Sequence, residues 1–187
     1  MEQILEKTAQ AADQAEVYFL EQQSDQIQFE NGQLKEIESK MQSGLALRII
    51  KEGCLGFAYT KNLLNPEDLL QQALDSLRGK VEAPFDFPSA APRPSLQTDD
   101  PRLQELTNSA LVEEGRRVCE YLGSKVQGQV NVSIQRDWQH IRLQNTRGLD
   151  QSLISSSYFL NASLLFPGSQ AGLDRHIIEK GFRTFPE

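Results

Sequence analysis

Residues 26–37, "QIQFENGQLKEI", set an Asn31-Gly32 pair between two runs of alternating apolar and polar residues. Both central residues of a type I′ turn need positive φ, which Asn and Gly adopt at the least steric cost, so the pattern predicts a β-hairpin closed by a two-residue loop. A chain built this way must form an antiparallel sheet and cover one of its faces. Ile27 and Phe29 fall on one side of the first strand, with Gln26, Gln28 and Glu30 on the other. Counting outward from the turn sets Glu30 against Gln33 and Phe29 against Leu34, but then sets Ile27 against Glu36. One extra residue, a bulge near Lys35-Glu36, restores Ile27 to Ile37.

The flanking sequence supplies what covers the sheet. Ile4, Leu5, Thr8, Ala11 and Ala12 recur at helical spacing and predict a short helix ending near Asp13. "SGLALRIIKEGCLGFAYT" predicts two further strands, with Leu45, Leu47 and Ile49 on one face, a turn at Lys51-Glu52-Gly53, and Leu55, Phe57 and Tyr59 on the returning strand. "NPEDLLQQALDSLRG" reads as a helix with Asn65 as N-cap, Pro66 at the first position, Glu67 and Asp68 against the macrodipole and Gly79 at the stop. Its apolar stripe is Leu69, Leu70, Ala73, Leu74 and Leu77. Pro84, Pro88, Pro92, Pro94 and Pro101 then mark 81–101 as a linker. Asp100-Pro101 opens a second long helix through Leu103, Leu106, Ala110, Val118 and Leu122, in which Gly115 is a weak helix former. Beyond it Val130, Val132 and Ile134 alternate as a strand, and "IRLQNTRGL" parallels "IQFENGQL" as a second hairpin. Two such helix-and-hairpin modules arise either from an old duplication or from two independent uses of common turn residues. The reading is an α+β fold, helices packed on antiparallel β-sheets with long hairpins. Its domains are an N-terminal α+β domain at 1–80, the linker, and the start of a further α+β region at 102–187.

Composition narrows the function. The 187 residues hold 26 acidic against 19 basic side chains, a net charge of −7, and this field repels phosphate polymers and anionic membranes. Direct nucleic-acid and membrane partners are therefore not expected. Arg116, Arg117 and Lys125 are interspersed with acids and form no basic patch. The opening "MEQILEKTAQAADQAE" lacks the basic start and unbroken apolar stretch of a secretion signal, and no run approaches the roughly 20 apolar residues of a membrane helix. A soluble cytoplasmic protein is expected. Cys54 and Cys119 lack metal or redox spacing and read as buried free thiols in a reducing compartment. For the same reason of setting, the glycosylation patterns at Asn131 and Asn161 read as chance matches.

Candidate chemistry is sparse. His140, in "DWQHIRL", shares a strand face with Trp138 and Arg142 and reads as a half-exposed sheet histidine. His176 and Glu179, in "DRHIIEK", stand three apart and would share a helix face as metal ligands, but a third ligand is missing nearby. Glu36, Glu38, Glu67, Asp68, Glu113 and Glu114 read as cap residues or solvated faces rather than a general acid and base pair. "SSSYF", 155–159, offers hydroxyls without a base. No catalytic, cofactor-binding or metal-binding residue is assigned, and no cofactor is expected in this chain.

A wider pattern joins these pieces. Ala15-Glu16-Val17 opening a strand, Asn31-Gly32, Gly44-Leu45-Ala46-Leu47-Arg48-Ile49 and Gly53-Cys54-Leu55-Gly56-Phe57-Ala58-Tyr59-Thr60 come in the order and spacing of one family. Residues 15–63 resemble the N-terminal domain of the TldD/PmbA family, historically labelled modulators of DNA gyrase. "RLQNTRG", 142–148, is similar to that family's middle-region Asn and Gly element, where Ser is more usual than Thr146. The resemblance implies a zinc-dependent peptidase acting on peptide or unfolded substrates, whose HExxxH zinc motif lies in a C-terminal domain, and which in some members pairs with a subunit lacking the metal. Neither His140 nor His176 begins such a motif, so no catalytic residue carries over. Two readings follow. The chain is the non-catalytic N-terminal part of such a peptidase, inactive alone, contributing to a substrate chamber and to assembly as a homo- or hetero-oligomer with a TldD/PmbA-like subunit. Alternatively, it is a free-standing interaction module for a peptide, a partner subunit or a gyrase-related protein.

Overall fold

The structure, a computed structural model, describes residues 1–63, 67–90, 96–167 and 173–182, with side chains described for 1–63, 68–90 and 96–166. The elements run α1 (Glu2–Ala9), β1 (Gln14–Glu30), β2 (Gln33–Lys51), β3 (Cys54–Thr60), α2 (Glu67–Ser76), α3 (Pro101–Glu105), α4 (Asn108–Gly123), β4 (Gln129–Asn145), β5 (Asp150–Pro167) and β6 (Leu173–Phe182). The strands pair in the order β3-β2-β1-β4-β5-β6 as an antiparallel sheet, so the fold is α+β with long hairpins.

The Asn31-Gly32 turn forms as the sequence predicts, with φ of 49° and 72°. The tip is also latched sideways. Gly32 N–H donates to the Val130 carbonyl and Asn31 N–H to the Asn131 side-chain oxygen, both at 2.9 Å, which ties the hairpin end to β4. Glu52-Gly53, at φ 52° and 73°, makes the corresponding two-residue turn between β2 and β3. The third hairpin differs. β4 ends at Asn145 and β5 begins at Asp150, so "QNTRG" closes a four-residue loop in which Gly148 takes the positive φ of 86°.

The bulge in β2 follows from parity. Side chains on paired antiparallel strands meet only if they project from the same face. Gln42 meets Gln22, Ser39 meets Asp25, and Arg48 meets Glu16. Each pair lies one residue out of step with the count from the turn, whereas Lys35 with Glu30 still matches it. One extra residue between Lys35 and Ser39 accounts for both observations.

The chain divides into two compact units, each drawn from three stretches: 1–22, 42–96 and 139–154 in the first, 23–41, 97–138 and 155–187 in the second. The division cuts across β1, β2, β4 and β5 and does not follow chain order, unlike the division of the sequence into 1–80, 81–101 and 102–187. The first unit's core joins Ile4 of α1, Leu69 and Ala73 of α2, Val17, Leu45, Leu47, Ile49 and Ala58. The second unit's core joins Leu103 of α3, Leu111 and Cys119 of α4, Ile27, Phe29, Val130, Val132, Ile134 and Tyr158.

Four local expectations are corrected. The sequence reads Leu55, Phe57 and Tyr59 as the apolar positions of the returning strand, but Gly56 and Ala58 face the helices, while Phe57 and Tyr59 are 48% and 68% exposed. Helix α2 explains this, since a Cβ at Gly56 would stand 2.5 Å from the Ala73 carbonyl oxygen and leaves no space for a large residue. The second long helix is broken at Leu106, whose ψ of 125° is extended. Thr107 accepts from Ala110 N–H and caps a new helix. Helix α1 stops at Ala9, short of Asp13. At the end of α2 a 3-10 turn, Leu77–Gly79, follows, and Lys80 at φ 48° supplies the left-handed stop that the sequence gives to Gly79. Asn65 and Pro66 lie outside the described residues.

Candidate functional site

Residues 80–90, part of the expected linker, form a strap on the first unit. Leu55 N–H donates to the Val81 carbonyl, Ala83 N–H to the Gly53 carbonyl, and Cys54 bridges to Glu82, which extends the edge of β3. Phe87 is buried, its N–H donating to the Gln14 side chain and its ring lying 5.3 Å from the Arg48 guanidinium. That guanidinium pairs with the buried carboxylate of Glu16. Asp86 accepts from Gln14 and pairs with Arg147. Those hydrogen bonds and the Arg147 charge hold its carboxyl below the ordinary carboxylate value. Prolines remove donors from such a segment, but the Ala83 and Phe87 N–H groups both find acceptors.

Asn145 fastens the strap to the sheet. Its side-chain oxygen accepts from the N–H groups of Arg147 and Leu149, shaping the loop, while its amide donates to the Pro88 carbonyl. Thr146 pairs with Ala15 through both its N–H and its hydroxyl oxygen. The "QNTRG" pattern thus marks a structural clasp, a role its turn residues alone do not reveal.

A polar group sits inside the second unit. Asp25, buried, accepts from Ser39, Gln23 and Arg136, and Arg136 also donates to the carbonyls of Leu103, Gln104 and Leu106. Burial by itself would raise the Asp25 pKa. The hydrogen bonds from Ser39 and Arg136, with the arginine charge, outweigh it and hold the carboxyl below its ordinary value. The arginine closes the end of α3 and joins it to the sheet through both of its terminal nitrogens.

The residues weighed for chemistry are dispersed. His140 Nε2 lies 2.8 Å from the Ser152 hydroxyl, and its ring meets Phe19 edge-on at 5.8 Å. His176 and Glu179 lie on β6, a strand, so the helical spacing that would bring them together does not apply. Cys54 and Cys119 are free thiols, and burial raises the Cys119 pKa. Glu113 and Glu114 pair with Arg116 and Arg117 along α4, and Lys125 lies over Tyr121. Glu38 pairs with Lys40. Ser156 is buried and accepts from Asp100 N–H, anchoring the start of α3. Among the described residues no group of three or more His, Cys, Asp or Glu side chains could hold a metal ion.

A depression lies on the first unit. Tyr18 and Leu20 of β1, Gly44 and Ala46 of β2 and Tyr59 of β3 line a mostly apolar hollow of about 200 Å³, with Lys61 at its rim. Gln42, Ser43, Thr60 and Lys61 add polar groups to this lining.

The fold is α+β with long hairpins, and its first unit carries a mostly apolar hollow. Residues 15–77 match the family described as "PmbA/TldA metallopeptidase domain 1", the N-terminal domain of the TldD/PmbA family. The fold is similar to that of a candidate modulator of a DNA gyrase from Thermotoga maritima, with a TM-score of 0.85 at 20% identity. It is similar also to TldE from Thermococcus kodakarensis, with a TM-score of 0.87 at 15% identity. A candidate modulator of DNA gyrase from Bacteroides thetaiotaomicron gives a TM-score of 0.77 at 14% identity. The three alignments each cover 98% of this chain, but 43%, 43% and 44% of those proteins respectively. No curated protein matches.

Proposed function

We propose that this chain is the non-catalytic N-terminal part of a TldD/PmbA-like zinc-dependent peptidase, acting on peptide or unfolded substrates and contributing to the substrate chamber and to subunit assembly. The match of residues 15–77 to the first domain of a metallopeptidase family carries this reading. Tyr18, Leu20, Gly44, Ala46 and Tyr59 all fall within the matched segment, so the apolar hollow lies on that domain. On this reading zinc belongs to another domain, and the hollow receives an apolar side chain of the substrate. The cytoplasm is the expected compartment, and the net charge of −7 disfavours direct contact with DNA. The free edge of β2 favours a second reading, an interaction module that binds a partner without proteolysis.

The test uses the 187-residue chain. After dialysis it should retain no stoichiometric zinc and should not cleave a fluorogenic peptide. It should bind fluorescein-labelled casein, an unfolded protein, and Ala46→Glu, which places a charge in the hollow, should weaken that binding about tenfold or more while leaving the denaturation midpoint nearly unchanged. Chelator-sensitive cleavage would make the chain an enzyme in its own right. Casein binding that ignores Ala46→Glu would remove the hollow from the substrate path.

A further inference from the structure

Strand β3 pairs with β2 only from Leu45, opposite Thr60, to Lys51, opposite Cys54. The part of β2 nearer the hairpin tip therefore has β1 on one side and no described strand on the other. Such an edge presents a row of backbone donors and acceptors to solvent, a template for another strand. Its side chains are unusual for a guarded edge. Ile37 and Met41 are 49% and 75% exposed, and alternation puts them on one face with Ser39. Between them Glu38 and Lys40 share the other face and lie 2.9 Å apart.

We infer that this edge is where the chain pairs antiparallel with a second copy of itself, with Ser39 on the two-fold axis. The inference deepens the assembly part of the proposed function, and it rests on charge and shape written into the strand. A two-fold centred on Ser39 sets Glu38 of each copy opposite Lys40 of the other, giving two opposite-charge pairs. It sets Ile37 of each copy opposite Met41 of the other, covering both exposed apolar side chains on one face. Shifting the axis by half a residue towards the tip, between Glu38 and Ser39, sets Ile37 against Lys40. Centring it on Glu38 sets that carboxylate against its own copy, a like-charge contact that costs stability. Charged residues and a bulge on an edge ordinarily serve to keep strands away. Here the charges are self-complementary in the register that also buries Ile37 and Met41, which a purely protective edge would not require.

The test is a charge-swap mixture followed by sedimentation velocity. The parent chain should associate with rising concentration. Glu38→Lys places two lysines on that face and Lys40→Glu places two glutamates, so each variant alone should repel its own copy and associate at least about tenfold more weakly. Mixed in equal amounts, the two variants should associate with each other, because every Lys then faces a Glu. Denaturation midpoints close to the parent's would show that each variant is folded, as expected for exposed positions. A parent chain that stays monomeric from about 1 μM to about 1 mM would overturn the inference. So would a mixture no more associated than its components. Neither result bears on zinc, cleavage or casein binding, so this inference and the peptidase reading fail separately.

Discussion

At the scale of single residues, the positions that matter most are those whose chemistry is decided by a neighbour far away in sequence. Gly115 reads in the sequence as a flaw in a helix, yet a Cβ there would stand 2.3 Å from the Phe29 ring. The glycine is what lets α4 approach β1. Gly115→Ala gains about 1 kcal/mol of helix propensity but forces a packed aromatic ring to move, so a net loss of about 1–2 kcal/mol is expected. Chemical denaturation of Gly115→Ala, and of the same variant with Phe29→Leu, tests this, because the smaller side chain should recover part of the loss.

Asp25 gives a pH prediction. Its folded pKa lies below the ordinary 3.8, so the unfolded chain takes up the proton first as pH falls. Its stabilising contribution is complete above about pH 4 and is lost as pH drops through the folded value. Asp25→Asn should cost about 3–5 kcal/mol near neutral pH, because it leaves the buried Arg136 without its counter-charge. The variant's denaturation midpoint should also fall less steeply than the parent's between about pH 4 and pH 2. Equal slopes would mean that Asp25 is not a source of the acid sensitivity.

At the scale of elements, the strap at 80–90 shows how proline-rich sequence becomes ordered structure. Each contact is modest, but Phe87 adds a buried ring and Asn145, Gln14 and Gly53 take up its polar groups. Phe87→Ala should cost about 3–5 kcal/mol, the range for emptying a buried aromatic site. Pulse proteolysis should then detect faster cutting within 80–90, a stretch expected to resist protease in the parent chain. Equal protection in both chains would show that the backbone pairs around Val81 and Ala83 hold the strap without the ring. The broken second helix belongs to the same scale. Leu103 and Leu106 lie in one helical pattern with Ala110, but Thr107 caps a new start, and Arg136 holds the carbonyls at the break. The periodicity runs through Thr107 without a stop, and the arginine that holds the break lies some thirty residues later in the chain.

At the scale of the whole molecule, the sheet has the long hairpins that the turn residues and alternation predict, and the solved structures share its fold while extending to more than twice the aligned length. Many of its charges pair locally, as Glu113 does with Arg116 and Glu38 with Lys40.

Local chemistry sufficed for the turns and for most of the buried strand faces. Positive φ selects Asn31, Gly32 and Gly53 wherever the chain folds back, and period-two alternation places Leu45, Leu47 and Ile49 inside. The mismatch between Ile27 and Glu36 even announced the bulge. What the sequence left open depends on distances between elements. Period alone cannot tell which face of β3 is buried, because Leu55, Phe57 and Tyr59 alternate as well as Gly56 and Ala58 do. The choice is made by α2, whose backbone comes too close for any side chain larger than those two. Proline likewise reads as a break in both a free linker and a packed strap, and only the partners in space separate them. Tertiary structure also decided where β3 stops along β2, and so which edge is left for another strand.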